Sequence, residues 1–178
     1  VMISAHFVVW EIFVKWMGEY NAFFSVVIQR QKNRGANRFF HEQRGLTGAV
    51  QIYRKESLDT MYDILADNGI LALVSDQDAK RKGVFVDFFG TQASTPKGAA
   101  LFHQKSGSPL VFGVCIQIAL HKYRVEFVPV IPKSKSLEDI IQAYTTIIEK
   151  MVRKYPEQYF WMHRRWRARP QEDPEDIY

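Results

Sequence analysis

Ser57-Leu58-Asp59-Thr60-Met61-Tyr62-Asp63-Ile64-Leu65-Ala66-Asp67-Asn68-Gly69-Ile70-Leu71-Ala72-Leu73-Val74-Ser75-Asp76 decides the fold. Residues 57–68 place apolar side chains at helical spacing, with Ser57 suited to cap the first turn and Asn68-Gly69 suited to end it. The run Ile70 to Ser75 is the length of a strand and apolar up to its last residue, and Asp76-Gln77-Asp78 follows it directly. A carboxylate at that place has a functional reading, because α/β sheets put their ligand sites beyond the C-terminal ends of their strands. It has two others: a capped turn, which Asp favours, and a D-x-D metal site, which would need further ligands that the sequence does not offer.

The same alternation extends in both directions. Ala22 to Ile28, Gly48 to Tyr53, Pro109 to Gln117 and Tyr123 to Val130 read as strands, rich in β-branched and aromatic residues and bounded by polar, Gly or Pro positions. Residues 8–19, 33–44, 96–106 and 136–154 read as helices, with Pro96 suited to the first turn of its helix after Ser94-Thr95. This βαβα order predicts an α/β layered domain with a largely parallel central sheet flanked by helices. One domain is expected over residues 1–170, followed by an acidic tail over 171–178. Asp76 to Lys97 is a long connection, and connections of that length are usually functional. Near its tip Phe88-Phe89 would line a groove, touch a membrane, or fold back as core.

The bulk numbers exclude little. A chain of 178 residues, 47% hydrophobic and 24% charged, can bury a full core. Its 24 Lys and Arg against 19 Asp and Glu give a net charge of +5, which suits any anionic partner. The single Cys115 lies in an apolar run and reads as a small buried hydrophobe. Glu11, Lys15 and Glu19 interrupt the apolar first 29 residues, so that stretch is not a bilayer-spanning segment, nor does it read as a signal peptide. The chain begins with Val and reaches a chemical motif within six residues, without an evident opening strand or helix. The natural N-terminal portion, with any anchor it holds, is therefore expected upstream.

That motif is His6-Phe7-Val8-Val9-Trp10-Glu11. Burying two ionisable groups in an apolar run costs several kcal/mol unless each is paired or used. Residues five apart differ by about 140° around a helix, so these side chains meet only if His6 stands at a strand-to-helix junction and Glu11 on the first turns. Glu11 would then fix the imidazole tautomer through one ring N–H and leave the other nitrogen to accept a proton. The bland alternative is a satisfied core histidine. Asn33, Arg34 and Arg44, on the expected helix 33–44, read as a solvated helix face, or the arginines as forks for phosphate and carboxylate. His163-Arg164-Arg165-Trp166-Arg167-Ala168-Arg169 is too small a footprint for nucleic acid, and lipid phosphate would satisfy it equally. No G-x-S-x-G elbow is present and Cys115 lacks an activating setting, which leaves base-assisted attack by a substrate hydroxyl.

In their order these blocks resemble the bacterial lipid A late acyltransferase family, within the glycerolipid acyltransferase superfamily with its H-x-x-x-x-D/E signature. The matching text is His6-Phe7 through Trp10-Glu11, Arg30 with Asn33, Arg44, Asp76-Gln77, Gly83 to Val86 through Phe88-Phe89-Gly90, Thr95, Gly98-Ala99, Trp161, His163 to Trp166, and Arg169-Pro170. The sequence departs from the family at Val8-Val9, often Gly-Asn, and at Asp87, often Pro. The resemblance implies transfer of a fatty acyl group from acyl carrier protein, or acyl-CoA, to a hydroxyl of a lipid A precursor. His6 and Glu11 would be the catalytic pair, with Arg44, Asp76, Asn33, Arg30 and Arg164 binding substrate. Arg44 would contact a phosphate or the thioester side, and Asp76 would hold Arg44 or the acceptor in register. No metal and no cofactor is expected beyond the thioester co-substrate. Acyl carrier protein, the lipid A precursor and a membrane surface are the expected partners, nucleic acid is not one, and the cytoplasmic face of the bacterial inner membrane is the expected location. The rivals are acyl transfer to another glycolipid or a lysophospholipid, and a silent lipid or nucleic-acid binding module.

Overall fold

A computed structural model describes residues 1–21, 23–54, 58–171 and 177. The expected Ser57 cap, the first residue of the strand expected from Ala22, and nearly all of the acidic tail lie outside the described residues. In chain order the elements are β1 (Met2–Ser4), α1 (Trp10–Tyr20), β2 (Phe24–Ile28), α2 (Arg34–Gly45), β3 (Val50–Tyr53), α3 (Leu58–Ala66), β4 (Ile70–Val74), β5 (Val84–Phe88), β6 (Thr91–Thr95), α4 (Gly98–Ser106), β7 (Val111–Ala119), β8 (Lys122–Pro129) and α5 (Leu137–Lys154). Six of the strands form one sheet in the order β3-β2-β4-β1-β7-β8, parallel except for β8, which returns antiparallel on β7. The α/β layered expectation is met.

The sheet sorts its side chains by strand period. Ile3, Phe112, Val114 and Ile116 point to one face and pack with α5 residues Ile140, Ile141, Tyr144 and Ile148. Met2, Phe24, Val26, Ala72 and Cys115 point to the other, against Phe13, Val14 and Met17 of α1. Gly113 permits that second contact: a Cβ there would stand 2.9 Å from the Phe13 ring and 3.0 Å from the Met2 sulfur. Cys115 is buried, as expected, and burial pushes its thiol pKa up. α3 ends as the sequence implies: Asn68 takes the left-handed conformation (φ 59°) and the Gly69 N–H donates to the Ile64 carbonyl at 2.7 Å.

Three details differ from expectation. The chain does open on a strand: β1 is three residues long and lies inside the sheet between β4 and β7. Pro96 precedes the α4 cap residue Lys97 instead of entering the first turn, and its carbonyl accepts the buried Tyr144 hydroxyl at 2.6 Å. The long connection after β4 folds into the antiparallel hairpin β5-β6, turning at Phe89 and Gly90, both with positive φ. The hairpin lies on α5, where Gln142 both accepts the Asp87 N–H (2.8 Å) and donates to the Asp87 carbonyl (3.0 Å). Proline at position 87 would have no N–H for that clamp. Of the aromatic pair, Phe88 is core, while Phe89 lies under the Arg153 guanidinium, 4.4 Å from the ring centre.

Candidate active site

Parallel pairing of the adjacent strands β1 and β4 builds the site. Met2 stands opposite Ala72, Ile3 opposite Leu73 and Ser4 opposite Val74, a constant offset of 70 residues. The Ser75 N–H continues the ladder to the Ser4 carbonyl at 3.0 Å. Carried past the strand ends, the same offset brings His6 to Asp76. The Asp76 carboxylate accepts the His6 backbone N–H through Oδ2 at 3.0 Å and meets His6 Nδ1 through Oδ1 at 2.8 Å. An ionised carboxylate only accepts, so Nδ1 carries the ring proton and Nε2 presents a lone pair. Burial pushes the Asp76 carboxyl pKa up, but the hydrogen bonds and charge of His6 outweigh it and hold the group below the ordinary carboxylate value. The imidazole keeps 23% of its surface exposed. It lies among the Trp10 ring, the Phe160 ring and the Gln77 side-chain amide, which is 3.5 Å from Nε2.

His6 does stand at the strand-to-helix junction, with Glu11 on the first turn of α1. The carboxylate expected at the imidazole is nevertheless a different one. Glu11 takes a two-pronged ion pair with Arg44 on the last turn of α2: Arg44 Nε donates to Oε2 at 2.9 Å and Nη2 to Oε1 at 2.5 Å. Arg44 is buried, its guanidinium lying 4.8 Å above the centre of the Trp10 ring and 5.4 Å from that of Phe40. Trp10 thus meets one member of each pair, the His6 ring in a T-shaped contact and the Arg44 guanidinium over its face. The physical reason is the turn at residues 7–9, which sends the chain from the sheet into α1 and points Glu11 at α2. Asp76, engaged with His6 twice, is not the residue that holds Arg44.

The remaining expected residues are more dispersed. Asn33 is the cap of α2, its Oδ1 accepting the Ala36 N–H at 2.9 Å. Arg30, beyond β2, stacks on Tyr53 at 4.3 Å. Arg164 is exposed on the C-terminal segment. The basic run around it does not form one surface patch. Arg165 is buried, donating to the Ser94 carbonyl (2.7 Å) and Thr95 Oγ1 (2.5 Å) while its guanidinium faces Phe88 at 5.3 Å. His163 Nε2 accepts the Asp78 backbone N–H at 2.7 Å. Sequence reasoning missed His163 and Gln77 as site residues; a histidine among arginines reads as surface, and only the fold reveals its partner.

Fold and site together define an α/β layered protein of acyltransferase-like architecture, with its polar groups at the carboxyl edge of a parallel sheet. The chain belongs to the family described as bacterial lipid A biosynthesis acyltransferase, whose profile matches residues 1–168. It is 34% identical over 99 residues to a lipid A biosynthesis palmitoleoyltransferase of Escherichia coli (strain K12), and equally to a lipid A biosynthesis acyltransferase of Shigella flexneri. The matched stretch is 53% of this chain and 32% of each relative, so the likeness spans about a third of the relatives' length. Among the described residues no helix is long and apolar enough to cross a membrane.

Proposed function

We propose that this chain transfers a fatty acyl group from an acyl carrier protein or CoA thioester to a hydroxyl of a lipid A precursor, with His6 as general base. The observation that carries the reading is the Asp76–His6 pair, which leaves Nε2 as the unprotonated nitrogen of a partly exposed ring. Nε2 takes the proton as the acceptor oxygen attacks the thioester carbonyl carbon. The tetrahedral intermediate then collapses, the C–S bond breaks, and the leaving thiolate recovers the proton from the imidazolium. Asp76 opposes the positive charge that develops on the ring, the part played by the buried acid of a serine-protease triad, with substrate as nucleophile. A placed base contributes about 10²–10⁴-fold; holding the two lipid substrates together supplies more. Glu11 keeps Arg44 buried against Trp10, so its positive charge bears on a phosphate or the thioester end of the substrates through the indole wall beside His6. Arg30, Asn33 and Arg164 extend the polar rim toward the acceptor.

The net charge of +5 suits an acidic carrier and a phosphorylated acceptor. A membrane surface is the proposed partner on the site's own side, at the cytoplasmic face of the bacterial inner membrane. Val8 is 67% exposed and Met162 85%, with Phe160 and Trp161 half exposed beside them. They meet because the Val8 N–H donates to the Gln158 carbonyl and the Phe160 N–H to the His6 carbonyl. The test is an assay of wild type, His6→Ala and Glu11→Ala with acyl carrier protein thioester and a tetra-acylated precursor in detergent. Loss of lipid product in the His6 variant, with folding retained, is expected; full activity there would remove His6 as base.

A further inference from the structure

The segment from Tyr159 to Arg169 lies across the carboxyl edge of the sheet and holds the site at two points. The Phe160 N–H donates to the His6 carbonyl at 2.9 Å. His163 Nε2 receives the Asp78 N–H at 2.7 Å. A backbone N–H only donates, so this ring nitrogen carries a lone pair and the neutral ring keeps its proton on Nδ1. Asp78 belongs to the same short turn as Asp76. Two imidazoles are thereby linked in series: His163 fixes the main chain of the turn, and the turn's first carboxylate fixes His6.

We propose that His163 is a positioning residue for His6, its neutral ring pinning the Asp76-Gln77-Asp78 turn so that the Asp76 carboxylate stays against His6 Nδ1. The proposal rests on the reading of His6 as base, and it adds a requirement that titrates at His163. A proton on His163 Nε2 would set donor against donor at the Asp78 amide and release the turn. The charged groups that bear on His163 are Asp76 and Asp78 from the turn after β4, Arg165 from its own segment, and His6 from the turn after β1. Burial, with Arg165 and His6, outweighs the two carboxylates and holds His163 below the ordinary imidazole value, so the pin is set at neutral pH. Misplacing a reacting group by about 1 Å costs on the order of 100-fold, which sets the scale of the effect.

Two variants test this. In His163→Gln the amide oxygen accepts the Asp78 N–H and does not titrate; in His163→Leu nothing accepts it. On its acid side wild-type kcat/KM should fall more steeply than that of the Gln variant, because a proton on His163 releases the turn. The Gln variant should keep near wild-type rates at neutral pH and show the shallower acid limb. The Leu variant should lose kcat on the order of 100-fold with KM for the thioester little changed. A substrate-free readout separates this proposal from the one beneath it: the downfield proton resonance of His6 Nδ1–H against Asp76 should persist in wild type and the Gln variant and vanish in the Leu variant. A Gln variant that keeps the steep limb overturns the proposal. So does a Leu variant with wild-type rates, or with an intact His6 resonance. Should wild type transfer no acyl group, the reading of His6 as base fails, and the resonance still decides whether His163 holds the turn.

Discussion

Replacing Asp76 by Asn should remove most of the base function of His6 while leaving the protein folded, and the geometry says why. In the native site one carboxylate oxygen takes the His6 backbone N–H at 3.0 Å and the other faces Nδ1 at 2.8 Å. The backbone N–H cannot reverse its polarity, so it claims the single amide oxygen of the Asn. The amide NH₂ must then face Nδ1. A ring nitrogen facing a donor gives up its proton, so the imidazole shifts to the tautomer with hydrogen on Nε2, where a proton was to be received. The charge opposite the developing imidazolium is lost in the same step. The expected cost is the general-base contribution, about 10²–10⁴-fold in kcat, or about 3–5 kcal/mol of barrier. Stability should change little, because Asn fills the same space and keeps the backbone hydrogen bond; a change under about 1 kcal/mol moves Tm by only about 2–4 °C at this size. The assay pairs initial rates of lipid product with thermal unfolding. Activity within about threefold of wild type, in a variant with native Tm, would refute the orientation argument.

Arg44→Met leaves Glu11 without its partner in a partly exposed position, so unfolding in urea should show a loss of about 1–3 kcal/mol, less than a fully buried broken pair costs. Arg44→Lys should recover only part of this, since an ammonium cannot reproduce the two-pronged contact. Gly83→Ala should destabilise by about 1–3 kcal/mol, because its Cβ would stand 2.2 Å from Ser94 Oγ and 2.8 Å from the Thr95 carbonyl oxygen; chemical denaturation measures it. Stability should also decline in two acid windows. His163 titrates below its ordinary 6.5, so its contribution is complete above pH 6.5 and lost as pH falls from there to its folded pKa. Asp76 titrates below its ordinary 3.8, so its contribution is complete above pH 3.8 and lost as pH falls through its lower folded value. Urea midpoints from pH 3 to 8 should show both declines in wild type, and only the lower one in His163→Gln.

The helices and most sheet strands were legible because their apolar residues keep a clean 3.6 or 2 period over several turns or pairs. β1 was not, since three residues give no period. The β5-β6 hairpin hid for another reason: its turn is Phe89-Gly90, and Phe at φ 59° is far from the Asn-Gly signal that marks such turns. In the site, all four members of the two pairs could be named from sequence, but their partners were exchanged. Nearness along the chain suggested His6 with Glu11, whereas parallel pairing favours residues 70 apart over those five apart. Arg165 and His163 were obscured because a basic run has the composition of a surface; only the hydrogen-bond partners after β4 and in β6 show which of its members turn inward.

The indole of Trp10 between the two pairs has an engineering consequence. A six-residue segment from His6 to Glu11, grafted onto a foreign scaffold, would transplant one half of each of two separate contacts. The recipient must already present a carboxylate beyond a neighbouring parallel strand and an arginine from a second helix, or the graft will reproduce the motif's letters without its chemistry.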